Sequence, residues 1–163
     1  MRLLRHLFAR SARGLFPEDS LHRITDAIAA GERLHRGEVM FAVESNLPPS
    51  AVIAGVEPRE RAHDVFVRLR TWDTEANNGV LIYLLLADHR IEIVADRGLA
   101  GRVSDAQWRE VCQLIETGMG EGRAEQAVLD GIAAASALLA RHFPQQAGDA
   151  DEDELPNRPH LLD

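Results

Sequence analysis

A chain of 163 residues, 45% hydrophobic and only 5% aromatic, builds one domain with a core of Leu, Ile, Val and Ala. Its net charge of −8 argues against nucleic acid as the main partner, because phosphate binding needs a basic surface. The single cysteine, Cys112, excludes an internal disulfide and a cysteine-rich zinc site, and no run approaches the ~18 apolar residues that span a bilayer.

The charge is unevenly placed. Residues 1–16 carry four Arg and no acid, and Leu4, Leu7, Phe8, Leu15 and Phe16 favour one side of a helix, with Arg2, Arg5, Arg10 and Arg13 between them. A basic amphipathic segment of this kind docks on anionic lipid or on a partner, or else packs on its own domain. It lacks the uninterrupted apolar core and small-residue cleavage site of a signal peptide. The expected location is cytoplasmic, at the periphery of the membrane.

Pro17-Glu18-Asp19-Ser20 starts a helix, with acids at the positive end of its dipole. Leu21, Ile24, Ile28 and Leu34 recur at helical spacing as far as His35. Residues 38–44 are apolar on both faces, as a central strand between helices must be. Residues 45–58, with three prolines, read as a loop. Residues 59–72 read as a helix with Ala62, Val65, Phe66, Leu69 and Trp72 inward. Residues 77–99 read as an apolar strand, a tight polar turn, a second strand and a glycine exit. Ser104-Asp105-Ala106-Gln107 is a capping box opening a helix that buries Trp108, Val111, Cys112, Ile115 and Met119. Residues 123–142 form the last helix. From residue 144 the chain is polar, acidic and proline-bearing, which predicts disorder. The organisation is a basic segment at 1–16, a domain at 17–143 and an acidic tail at 144–163. The element order predicts an α/β fold, a three-layer α/β/α sandwich with a small mixed β-sheet that includes an antiparallel hairpin.

The hairpin decides which polar residues meet. With Asp88-His89 as a two-residue turn, Ala87 faces Arg90 and Leu81 lies opposite Asp96. Asn77 and Asn78 then sit beside Asp96 and Gly98. Asp73 and Glu75 reach the same end from the preceding helix, and Asp105 from the following one. Carboxylate and amide oxygens gathered in this way suit Ca²⁺. The same residues also serve as helix caps and turn formers. The candidate metal ligands are Asp73, Asn77, Asn78, Asp96 and Asp105. The opposite rim holds Glu44, Ser45, Asn46, Asp88 and His89, at the strand ends where open α/β sheets often bind ligands. It has no glycine-rich phosphate loop and no persuasive nucleophile–base pair.

The segment also resembles the TPM domain, a family named for thylakoid, photosystem-repair and receptor-modulator proteins. The resemblance is carried by Asn78-Gly79 before the apolar strand, by Arg90-Ile91-Glu92-Ile93, by Asp96-Arg97-Gly98-Leu99-Ala100-Gly101, and by Asp105 opening the next helix. Asp96 stands where the family usually has a first glycine, Ala100 where it has a glutamate, and Asn77 where an aspartate is common. The form resembled is the short bacterial one without a signal peptide. The resemblance implies the same sandwich fold and Ca²⁺ binding at the acidic rim. It also implies an accessory role in membrane-protein maintenance or assembly, with a membrane-associated protein partner. The alternative it implies is a weak metal-assisted acid phosphatase.

Overall fold

The two most apolar stretches of the chain form the middle of the sheet. In the computed structural model, which describes residues 1–148 and 154–163, β1 (Glu38–Glu44) and β2 (Gly79–Leu85) are buried at every position. They pair in parallel, from Glu38 opposite Gly79 to Glu44 opposite Leu85. β3 (Arg90–Ala95) returns antiparallel along the free side of β2. Side chains alternate along each strand, so the sheet feeds two cores. Val39, Phe41 and Val43 of β1 join Val80, Ile82 and Leu84 of β2 against α3 (Glu18–Glu32), α6 (Asp105–Gly120) and α7 (Ala124–His142). Met40, Ala42, Leu81, Tyr83 and Leu85 face α4 (Pro49–Ile53) and α5 (Pro58–Arg68) instead. This is the expected α/β/α sandwich with its mixed sheet.

Local chemistry sets the helix ends that frame the rim. α6 opens on the capping box: Ser104 Oγ accepts from the Gln107 N–H, while the Gln107 side chain accepts from the Ser104 N–H. Trp108, Val111 and Ile115 then lie on one face and are buried, each contributing roughly 1.5–3 kcal/mol. α5 stops at Arg68, earlier than the spacing predicts. Arg70 turns left-handed at φ 56°, which leaves Trp72 45% exposed under the Arg70 guanidinium rather than inward. Residues 45–58 are not all loop, since Pro49–Ile53 forms α4 and buries Val52.

Both ends of the chain depart from expectation. Residues 1–16 form two short helices, α1 (Arg2–Leu7) and α2 (Ala12–Leu15), instead of one. The disorder expected for residues 144–163 does not hold for residues 154–163. There β4 (His160–Leu161) adds to the outer edge of β1 in parallel, opposite Ala42 and Val43, giving the order β3-β2-β1-β4. Leu155 is buried, the Leu162 N–H donates to the Val43 carbonyl at 2.9 Å, and the Ser45 N–H donates to Asp163 Oδ1 at 2.9 Å. Average composition hid this, because the apolar residues of the tail cluster at its far end. The acidic run at residues 149–153 lies outside the described residues.

Candidate functional site

The hairpin register differs from the two-residue turn by two positions. Leu85, not Ala87, faces Arg90, and Val80 faces Ala95. The cause lies in β1: the Leu86 and Ala87 N–H groups donate to the Glu44 and Ser45 carbonyls, both at 3.0 Å, so the parallel ladder continues past the strand. Leu86 to His89 therefore make a four-residue turn, closed from the His89 N–H to the Leu86 carbonyl at 3.1 Å with His89 at φ 52°. A shift of two keeps every side chain on its face, and it moves Asp96 closer to Asn77.

At that end of the hairpin three segments touch through two glycines. A Cβ on Gly79 would fall 1.9 Å from the Thr71 carbonyl oxygen, and one on Gly98 would fall 2.4 Å from that of Asn77. The Asp96 N–H donates to Gly79 at 2.9 Å, and the Gly98 N–H to the Asn77 carbonyl at 2.8 Å. Asp96 Oδ1 caps a short 3₁₀ turn by accepting from the Arg97 N–H at 2.7 Å, and Arg97 Nε donates to Asn77 Oδ1 at 3.1 Å. Asp96 Oδ2 is buried with no hydrogen-bond partner among the described residues. Asp105, in the first turn of α6, lines the same cleft as Asp96.

The other two candidates point elsewhere. Asn78 is fully buried, with its Nδ2 donating to the Arg36 carbonyl at 2.9 Å and its N–H to Thr74 Oγ1 at 3.1 Å. Asp73 is half-exposed and paired with Arg70 at 2.7 Å. Asp96 and Asp105 thus line one cleft and Asn77 meets Arg97 beside Asp96, while Asp73 is paired with Arg70 and the buried Asn78 keeps an Oδ1 with no hydrogen-bond partner among the described residues. Among the described residues, no three His, Cys, Asp or Glu side chains stand together in a group suited to a metal ion.

The cleft lies between β3 and α6, with a volume of about 640 Å³ and a wall formed by Arg90, Arg97, Trp108 and Arg109. Arg59 donates to the Ile93 carbonyl, and so blocks part of the open edge of β3. Burial, and then Glu92 and Glu116, push the Cys112 thiol up to about 11, so it is protonated and unreactive at neutral pH.

At the opposite rim Glu44, Ser45 and Asp88 are held by structural partners, while His89 lines a second cavity of about 710 Å³. Glu44 is 2% exposed and accepts from Arg61 Nε and Nη2, both at 2.9 Å, and from the Tyr83 hydroxyl at 2.6 Å. Glu44 raises the Arg61 guanidinium above its already high ordinary value, while burial and then Glu44 raise the Tyr83 phenol. Ser45 Oγ accepts from the Ala12 N–H at 2.7 Å. Asp88 receives Arg2 Nη2 at 2.8 Å and His6 Nε2 at 3.2 Å. His6 Nδ1 accepts from the Leu47 N–H at 2.9 Å, which assigns the ring proton to Nε2, facing Asp88. Burial pushes the Asp88 carboxyl up, but Arg2 and His6 outweigh it and hold it below its ordinary value. The sequence reading missed Arg2, His6, Arg61 and Tyr83. The signal available was a lone tyrosine in an otherwise aliphatic strand, since a buried hydroxyl needs a partner.

A small mixed sheet between two helical layers, with a cleft of mixed charge between β3 and α6, defines an α/β/α domain. The chain belongs to the TPM domain family, whose sequence profile matches residues 10–138. It is similar to the BA42 protein of the psychrophilic bacterium Bizionia argentinensis, at 32% identity over 88% of this chain and 92% of that one, with a TM-score of 0.76. The N-terminal domain of a protein from P. gingivalis shares the fold, at 17% identity over 84% of this chain and 86% of that one, with a TM-score of 0.63. Among curated proteins, none matches. Among the described residues no helix is long and apolar enough to cross a membrane.

Proposed function

We propose that this TPM domain is a binding and accessory module in membrane-protein maintenance or assembly, working at the cytoplasmic face and taking Ca²⁺ at the Asp96 end of the cleft. The observation that carries the calcium reading is Asp96 Oδ2, a buried carboxylate oxygen with no donor among the described residues. Such an oxygen costs free energy until something satisfies it. Ca²⁺ accepts carboxylate, amide, carbonyl and water oxygens in a tolerant geometry. Asp105 on the same cleft and Asn77 beside Arg97 supply two more donors. Asp73 is engaged by Arg70, so the proposed ligands narrow to Asp96, Asp105, Asn77 and Asn78, whose Oδ1 is likewise buried with no hydrogen-bond partner among the described residues. Arg97 competes for Asn77, and a bound cation has to displace that bond.

Thermal melting with increasing Ca²⁺ tests the reading, because a ligand of the native state raises stability by mass action. Amide NMR should place the response at residues 76–77, 96–98 and 105, and Asp96→Asn should abolish it. An unmoved melting temperature together with unmoved amides at millimolar Ca²⁺ overturns the proposal. The alternative, a weak metal-assisted acid phosphatase, is favoured by Arg97 and Arg109, which line the same cleft as Asp105 and offer charge to a phosphate ester. Turnover of p-nitrophenyl phosphate would have to survive repeated purification and fall in Arg109→Gln. Activity indifferent to that substitution removes the alternative.

A further inference from the structure

α1 packs on its own domain through Leu3 and through polar side chains, and leaves most of its apolar residues outside. Its polar side faces in: His6 is 3% exposed and bonded to Leu47 and Asp88, and Arg2 holds Asp88 through Nε and Nη2. Its apolar side faces out. Leu4 and Leu7 are 53% and 57% exposed, and Phe8, which caps the helix, is 82% exposed. Positions 4, 7 and 8 stand at helical spacings of three and four, so they form one stripe. Leu4 and Leu7 are left to solvent, and Phe8 stands at the mouth of a cavity of about 710 Å³ that Arg5 and Arg10 also line. Arg5 and Arg10 flank it, exposed and in no ion pair among the described residues, and Arg13 is exposed close by.

We infer that α1 and the turn after it seat this domain on an anionic bilayer surface. Charge selects the occupant. Residues 1–16 carry four Arg and no acid, whereas the remainder of the chain is strongly acidic. An anionic surface therefore attracts this segment while the net charge of the remainder is repelled, which favours one orientation. A second copy is a poor occupant, because it would bring a like-charged basic arm against the first. A shallow stripe beside arginines matches insertion at the headgroup level, where no complementary pocket is required. The Arg2–Asp88 and His6–Leu47 contacts hold the helix in place beforehand, so little ordering cost falls on binding. This inference stands apart from the calcium reading, which concerns the opposite ends of the strands.

The test is cosedimentation of the full chain with vesicles of phosphatidylcholine, either alone or with about one part in three phosphatidylglycerol. The chain should bind the anionic vesicles, leave the neutral ones largely unbound, and release as salt shortens the screening length. Arg5→Gln/Arg10→Gln should weaken binding roughly fivefold per charge removed. Leu7→Ser/Phe8→Ser should weaken it at least roughly tenfold. All four side chains are exposed, so an unchanged melting temperature verifies that the variants keep the fold. No binding to anionic vesicles at low salt overturns the inference, as does binding that both variants leave unaltered. Self-association that Leu7→Ser/Phe8→Ser abolishes, without vesicle binding, assigns the stripe to a second copy and equally overturns it.

Discussion

Replacing Arg61 by methionine keeps a long side chain on α5 and removes the charge that locks this helix to the end of β1. Glu44 would keep only the Tyr83 hydroxyl bond of 2.6 Å and lose both 2.9 Å bonds to Arg61. At 2% exposure it cannot turn to water instead. Removing one partner of a buried pair costs about 3–5 kcal/mol. The surviving tyrosine bond, and an Arg61 side chain that is itself 17% exposed, put the expectation at the lower end, about 3 kcal/mol. In a domain of this size each kcal/mol moves the melting midpoint by roughly 2–4 °C, so the shift should be about 6–12 °C. Adding Glu44→Gln to Arg61→Met removes the stranded charge and should recover most of the loss, leaving about 1 kcal/mol for imperfect hydrogen bonding. Guanidinium unfolding of the wild type, the two single variants and the double variant measures both quantities as one cycle. A cost below about 1 kcal/mol for Arg61→Met, or a double variant equal to the sum of the singles, refutes the reasoning.

Three further outcomes follow from the same geometry. Gly98→Ala should destabilise by roughly 1–3 kcal/mol, because the new Cβ meets backbone oxygens that cannot rotate away; an unchanged midpoint in urea would show that the rim is loose. Arg23, with Ser20, holds the Glu125 carboxyl down at about 2 and ties α3 to α7. A carboxyl depressed on folding adds stability that is complete above its ordinary value and is lost as pH falls from there toward the folded one. Glu125→Gln should therefore flatten stability against pH between about 4.5 and about 2, and an unaltered slope in acid titrations would contradict the pairing. Removing residues 154–163 uncovers the outer edge of β1, so hydrogen exchange at the Ser45 amide, now bonded to Asp163, should speed up; protection that survives the deletion means that the tail does not hold this edge.

The layers were legible in the sequence because they depend on local periodicity. The five consecutive apolar residues between Glu38 and Glu44 read as a strand covered on both faces, and Ser104 with Gln107 announces the start of α6 wherever that helix packs. The nearness of Asn77 to residues 96–98 was legible, since hairpin ends meet whatever the turn. The register was not, because it depends on where β1 ends, and β1 lies more than thirty residues earlier in the chain. The C-terminal strand was missed for a related reason. Composition averages over a segment, whereas docking needs only a few apolar residues opposite an open edge.

The sequence by itself therefore determined the central strands and the long helices, the two-sided core and the family, because alternation, helical spacing and capping are interactions among near neighbours. Tertiary structure alone decided what each polar group is for. Glu44, Ser45 and Asp88 read as a ligand rim, yet they serve as anchors for α5 and the N-terminal arm. Asp96, equally ordinary in sequence, keeps a buried oxygen with no hydrogen-bond partner among the described residues. The physical reason is that a charged or hydrogen-bonding side chain acquires its role from the partner it meets, and those partners stand 33 to 86 positions away or, for Arg61 and Glu44, 17.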